Sequence, residues 1–303
     1  MREEMRGEGW RKAIPEGRDR VQSRWLVGVI GVVLAGLSVD AVRWAILYGV
    51  GGWAAQFAFG ALAVSGAFAL MVLALRGATA GGAACGGMIC LLVTFWSGVG
   101  TGSIVRSGLT PLVVVFVLAF VSTRAGRRRK TKMGLAEGRK GRSAAQVIAN
   151  LSVAGLSISM LDGWGVWGIS AGWVVKTMCV AALVEAAADT VSSEIGQAFG
   201  GRPVMITTMR RVEAGADGAV TVLGSCAGVT AGVVVAIAGG WAMHLGVRGA
   251  AVVLGAGVCG LFFDSLMGAT LERRGWVGND LVNFASTVFA AVLTGVGCRW
   301  LMF

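Results

Sequence analysis

The sequence predicts an all-α, polytopic transmembrane helix bundle of about nine spans with its N-terminus in the cytoplasm. Three observations carry that expectation. The 303 residues are 55% hydrophobic and only 14% charged, far below the roughly one-quarter charged residues of a soluble domain. The mean hydropathy is +0.74. The apolar residues also come in uninterrupted runs rather than at amphipathic spacing: Ala219 to Met243 holds no charge at all, long enough to cross a hydrocarbon core of about 30 Å.

Residues 1–24 form a polar, basic amino-terminal segment, and no small-residue cleavage site follows it, so the apolar stretch from Trp25 reads as an uncleaved first span. Candidate spans then fall near 25–42, 57–75, 79–97, 108–123, 144–161, 166–188, 219–243, 249–270 and 282–302. Residues 25–303 make one integral membrane domain, with variable spans to about 123, a basic loop over 124–142 and a motif-bearing half over 143–303. Forty-nine glycines against three prolines point to close helix packing. Gly224, Gly228 and Gly232 recur every fourth residue, as do Gly168 and Gly172, which gives flat faces for helix contact.

The positive-inside rule tests the partition. With the N-terminus inside, the cytoplasmic segments hold 22 of the 27 lysines and arginines, and the remaining Arg43, Arg106, Lys176, Arg248 and Arg299 fall elsewhere. The densest run, RAGRRRKTKMGLAEGRKGR, is explained by topology and by anionic membrane lipids. No aromatic residue interleaves with it to stack bases, so nucleic acid is not an expected partner. His244 is the single histidine, and the six cysteines lie in apolar stretches without a CxxC. A His-based metal site and a Ser-His-Asp triad therefore lack their parts.

Carboxylates inside spans are costly and mark function. Glu185 and Asp189 lie four apart in VEAAADTVSSEIG, with Glu194 following; Asp264 and Ser265 occupy FFDSLMGATLERRG; Asn279, Asp280 and Asn283 open the last span in GNDLVNF. All three segments belong to one membrane face. Between them runs the loop GGRPVMITTMRRVEAGADGAV, where Thr207, Thr208, Arg210, Arg211, Gly215, Asp217 and Gly218 supply hydroxyls, charge and free backbone N–H groups. Gly218 is expected to lead into a helix whose N-terminus attracts anions. Magnesium commonly takes one or two carboxylates and completes its shell from water and phosphate, so Asp189 and Asp264 suffice as metal ligands. Asp189, Asp264 and Glu194 are the candidate catalytic groups, and the chemistry expected is phosphoryl or nucleotidyl transfer. Duller readings stand beside these: ADG is ordinary turn chemistry, and Arg210 and Arg211 also serve as topological anchors.

The strings ADTVSSEIGQAFGGRPVMITT, RRVEAGADGAVTVLGSCAG and FFDSLMGATLERRGWVGNDLVNF resemble the integral membrane family, known as domain of unknown function 92, that includes transmembrane protein 19 and the plant and cyanobacterial phytyl-phosphate kinases. The stretch RSAAQVIAN, ending at Asn150, resembles the family's middle. The resemblance implies transfer of a phosphate from a nucleoside triphosphate to an isoprenoid or phytyl monophosphate. More distantly, DTVSSEIGQAFGGRP and Asp264 resemble the CTP-using membrane cytidylyltransferases and dolichol kinases, which implies magnesium and CTP, or ATP, as co-substrate. The chain departs from its relatives at Arg210-Arg211, where Lys-Pro is usual, and at Leu151, where Gly is usual. Arginine keeps the charge but not the compact geometry of lysine. A transporter or lipid-binding membrane protein is the alternative, with the same acids coupling ions; it would call for binding groups near the midplane and repeated halves. Homo-oligomer formation is left open.

Overall fold

The computed structural model describes residues 14–48, 52–135, 141–163 and 168–301. Residues 1–13 of the basic amino-terminal segment, 136–140 of the basic run, 166–167 at the start of the sixth expected span and 302 at the end of the ninth lie outside the described residues, as does the side chain of Arg299. The helices are α1 (Glu16–Tyr48), α2 (Trp53–Ala74), α3 (Ala80–Gly98), α4 (Leu109–Arg124), the short α5 (Arg127–Lys132), α6 (Ala144–Gly163), α7 (Gly168–Phe199), α8 (Val222–Ala242), α9 (Gly246–Met267) and α10 (Asn279–Leu301). Each of the nine expected spans falls on a helix of its own. Among the described residues, six helices are long and apolar enough to cross a membrane, and α4 and α6 supply shorter apolar stretches. The outward faces of α1 and α2 carry Trp25, Val32, Phe59 and Leu70, each about 70% exposed, which is stable only where lipid is the solvent.

Local chemistry sets the helix starts. Thr79 accepts from the Gly82 N–H (3.2 Å) at the head of α3, and Thr221 accepts from the Gly224 N–H (3.0 Å) at the head of α8. Ser143 and Gln146 form a reciprocal capping box before α6: the Gln146 N–H donates to Ser143 Oγ (3.2 Å) and the Ser143 N–H to Gln146 Oε1 (2.7 Å). At its far end α9 winds into a π-helical turn, Gly268–Glu272.

Helix α7 is the axis of the bundle, with α4, α6, α8, α9 and α10 packed around it. Its segment from Cys179 to Ala188 is buried on every side, as expected of a helix that is apolar all round. The glycines of α8 make the closest approach. A Cβ at Gly228 would sit 2.5 Å from the Ala188 carbonyl oxygen, and one at Gly224 2.7 Å from that of Ser192, so only glycine permits the two backbones this proximity.

Several expectations are corrected. Helix α7 continues through Phe199, eleven residues past the expected end at 188, so Asp189, Thr190 and Glu194 are helical rather than terminal. The basic loop is partly helical, since α4 runs to Arg124 and α5 follows. The motif loop holds a two-stranded antiparallel hairpin, β1 (Val204–Met205) with β2 (Ala219–Val220). Gly218 does not open a helix: it lies at φ +75° against the Ala269 backbone, and Thr221 caps α8 three residues later. The six cysteines do lie in apolar helices, four of them buried and Cys226 and Cys259 exposed.

Candidate functional site

The helices gather their polar ends at one end of the bundle. Arg142 pairs by backbone with the turn after α2: its N–H donates to the Gly77 carbonyl (3.0 Å) and its carbonyl accepts from Thr79 N–H (2.9 Å). Gly141 has φ +75° with the Arg76–Ala78 backbone against it, a conformation and a proximity that glycine alone tolerates. The head of α6 is thus fixed beside α7.

There a polar cavity of about 330 Å³ opens between α6, α7, the hairpin, α9 and α10. Asp189 and Asp264, separated by 75 positions, both line it, as do Glu194, Asn150, Gly215, Asp217, Gly218, Asn279 and Asn283. Nine of the residues expected at a site thus line one cavity. Asp264 lies within electrostatic reach of Asp189, Glu185 and Glu272, and Asp189 within reach of Arg142 and Glu194. Ser286 donates to Asp264 Oδ2 (3.2 Å). With the Asn283 amide turned so that both its ends are satisfied, its nitrogen donates to Asp264 Oδ2 (3.2 Å) and to the Asn279 carbonyl (3.3 Å), and its oxygen accepts from Asn150 Nδ2 (3.2 Å). Asn150 also donates to the Gln146 carbonyl (2.8 Å). A continuous amide chain thus aims Asp264 into the cavity.

Other expected site residues lie outside it. Thr207, Thr208, Arg210 and Arg211 are exposed on the hairpin and do not line the cavity, because the turn at Met209, with φ +53°, carries them to the outer side. Asp280 also faces away, accepting from the Ser23 hydroxyl of α1 (2.6 Å). That contact belongs to a clamp in which Gln22 donates to the Trp276 carbonyl (2.9 Å) and accepts from Gly278 N–H (2.8 Å). Glu194 has both carboxylate oxygens engaged. Thr123 donates to Oε1 (3.1 Å), and Lys130, itself 1% exposed, ion-pairs with Oε2. Its geometry is that of a fastener between α7 and the basic segment.

Among the lining residues not expected from the sequence are Arg142, Gln146 and Glu272. Arg142 looked like the last cation of a topological run, and the signal that distinguishes it is the capping box immediately after it. That box starts α6 at 144 and puts Gln146 and Asn150 on one helical face. Glu272 sat in an ordinary ERR string; the π-helical turn swings it inward to 4% exposure.

A family model described as integral membrane protein DUF92 matches residues 63–291. The chain belongs to this family. Among its relatives, the chloroplastic protein VTE6 of Arabidopsis thaliana is 28% identical over 62% of this chain and 57% of its own length, so the match spans little more than half of that protein. Uncharacterized membrane proteins of Synechocystis and Methanocaldococcus jannaschii are each 30% identical, over 66% and 60% of this chain and 76% and 72% of theirs. No solved structure matches. The DUF92 match begins inside α2 and takes in every residue that lines the polar cavity.

Among the described residues, no three His, Cys, Asp or Glu side chains group into a ready-made metal cage. The donor set nevertheless fits magnesium. Asp189 and Asp264 are hard oxygen donors, of the kind magnesium takes, in one cavity, and Glu185, whose Oε1 is buried without a hydrogen-bond partner, lies within electrostatic reach of Asp264.

Proposed function

We propose that the chain is a membrane-embedded phosphotransferase resembling phytyl-phosphate kinase. It would move the terminal phosphoryl group of a nucleoside triphosphate, CTP or ATP, onto an isoprenoid alcohol monophosphate. The donor's terminal P–O bond breaks, a new P–O bond forms to an oxygen of the lipid phosphate, and a nucleoside diphosphate and a lipid diphosphate leave. The observation that carries this reading is the convergence of Asp189 and Asp264 on one polar cavity beside Arg142. Magnesium, held by those two carboxylates, supplies neutralisation of polyphosphate charge when bound. Arg142 takes over the phosphate-facing role first expected of Arg210 and Arg211, because its guanidinium borders the cavity and theirs do not. The Asn150–Asn283 amide chain keeps Asp264 in one orientation and so limits reorganisation during transfer. The side chains at the site offer positioning and charge rather than a nucleophile, which suits phosphoryl transfer.

The cavity sits at the end of the bundle, where the cations also concentrate, and this supports a cytoplasmic orientation for the motif segments. The same position favours transfer over transport, for which binding groups belong near the midplane. The test is direct. Purified protein receives phytyl or farnesyl monophosphate, magnesium and γ-labelled CTP or ATP. Labelled lipid diphosphate is expected, falling on the order of 10²–10³-fold in Asp189→Asn and Asp264→Asn. Absence of product with every donor, or full activity in both variants, overturns the reading.

A further inference from the structure

A second cavity, of about 450 Å³, lies beside the first, between α2, α3, α4 and the head of α6. Its walls are apolar, with Phe68, Val72, Leu112, Val115 and Phe116 among them. The Phe68 and Phe116 rings meet edge to face at 5.6 Å, which ties α2 to α4 above the cleft. Its mouth is different: Arg76, Arg124, Arg127 and Arg142 stand around it. Arg124 is braced there by the Leu75 carbonyl (3.1 Å) and by the Phe120 ring beneath its guanidinium (3.3 Å). Two residues, Arg142 and Asn150, line both this cleft and the carboxylate-lined cavity.

We infer that this cleft is the acceptor site, and that its occupant is a single-chain lipid phosphate monoester. The tail lies among the phenylalanines and valines, and the dianionic head sits within the arginine rim. One apolar cleft with one cationic mouth matches a ligand with one tail and one anionic end. The free edge of the phosphate faces Arg142 and Asn150, hence the neighbouring cavity where the donor phosphates are proposed to sit. On this arrangement α2, α3 and α4, the least motif-rich part of the chain, select the lipid, while α7, α9 and α10 carry the reaction. The inference rests on the transferase reading for the identity of the second cavity, but lipid binding in the cleft is testable without any transfer.

Two measurements test it. In the first, wild-type protein without nucleotide is photolabelled with a farnesyl monophosphate carrying a diazirine on its tail. Labelled peptides are expected from 68–86 and 112–120; labelling confined to other helices overturns the inference. In the second, equilibrium binding of labelled farnesyl monophosphate is compared among variants that fill the cleft. Gly86→Leu projects into the cleft that Gly86 lines, its Cβ in ordinary contact with Phe68 and Val147 at 3.9 Å, and Ala119→Phe fills the opposite wall. Each is expected to weaken lipid binding at least tenfold while leaving magnesium–nucleotide binding unchanged. Arg124→Gln is expected to weaken the monophosphate and spare farnesol. Wild-type affinity in both filled variants, or equal competition by two-chain phosphatidate, overturns the inference. The two readings fail differently: transfer whose lipid KM ignores the filled cleft sinks this site alone, whereas tight, cleft-dependent binding without transfer sinks the kinase alone.

Discussion

Replacing Lys130 with methionine isolates the energetics of the fastener between the basic segment and α7. The ammonium is 1% exposed and contacts Glu194 Oε2, the Thr123 carbonyl (2.9 Å) and the Ser122 carbonyl (3.3 Å); the Glu194 side chain is 15% exposed. Lys130→Met keeps most of the stem's volume and removes the charge, leaving Glu194 with a single hydrogen bond from Thr123. Breaking one side of a buried pair costs about 3–5 kcal/mol. Glu194 borders the polar cavity and gains some water there, so the lower end applies, about 3 kcal/mol. At about 2–4 °C per kcal/mol for a large domain, the melting temperature falls by roughly 6–12 °C. Tryptophan fluorescence during heating in detergent reads this from the eleven tryptophans. The double variant Lys130→Met/Glu194→Gln removes the stranded charge and recovers at least half of the loss. A single variant that melts within about 1 °C of wild type, or a double variant no better than the single, refutes the argument. The double variant also tests the role of Glu194: one that melts near wild type but transfers no phosphate would make Glu194 part of the chemistry rather than the architecture.

Two further predictions concern the packing of Gly218 and the clamp that α1 makes on the 276–278 turn. Gly218→Ala places a Cβ within 2.5 Å of Ala269 Cα at φ +75°, whereas Gly201→Ala, also at φ +75°, meets nothing within 4 Å. The second change therefore costs about 1–2 kcal/mol of backbone strain and the first distinctly more, and equal melting temperatures would contradict the packing of Gly218 on the π-helical turn. Gln22→Ala removes two hydrogen bonds to the 276–278 turn, worth about 1–2 kcal/mol together. Hydrogen exchange of the 276–282 amides is expected to accelerate in that variant, and unchanged protection would show that the turn does not depend on α1.

Much of the architecture was legible because lipid imposes a simple rule: every backbone polar group must be satisfied inside its own segment. Uninterrupted apolar runs had to be helices, and among the described residues each of the nine expected spans falls on one. Asp189, Asp264 and Asn283 were likewise legible as candidates, since polar groups in or beside such runs are costly and seldom idle, whereas Asn150 was marked only by the family resemblance of RSAAQVIAN. The exact ends were harder. Hydropathy falls after Ala188, yet α7 continues to Phe199 because the glycines of α8 pack along it and satisfy that surface.

Spacing along the chain determined the fold class, the concentration of cations and the set of acids worth watching. It did not determine which members of that set meet. Arg210 and Arg142 are alike as residues in a basic string, and only the backbone pairing of Arg142 with Gly77 and Thr79 brings one to the cavity while the turn at Met209 sends the other outward. Glu194 and Asp189 both line the cavity, but Glu194 is fastened to Lys130 whereas Asp189 stands within reach of Arg142. The physical reason is that hydrophobicity is a local property of a segment, whereas a side chain's partners depend on how several helices rotate and slide against one another. Those rotations are settled by close contacts such as Gly228 against Ala188, which form only once the bundle has assembled.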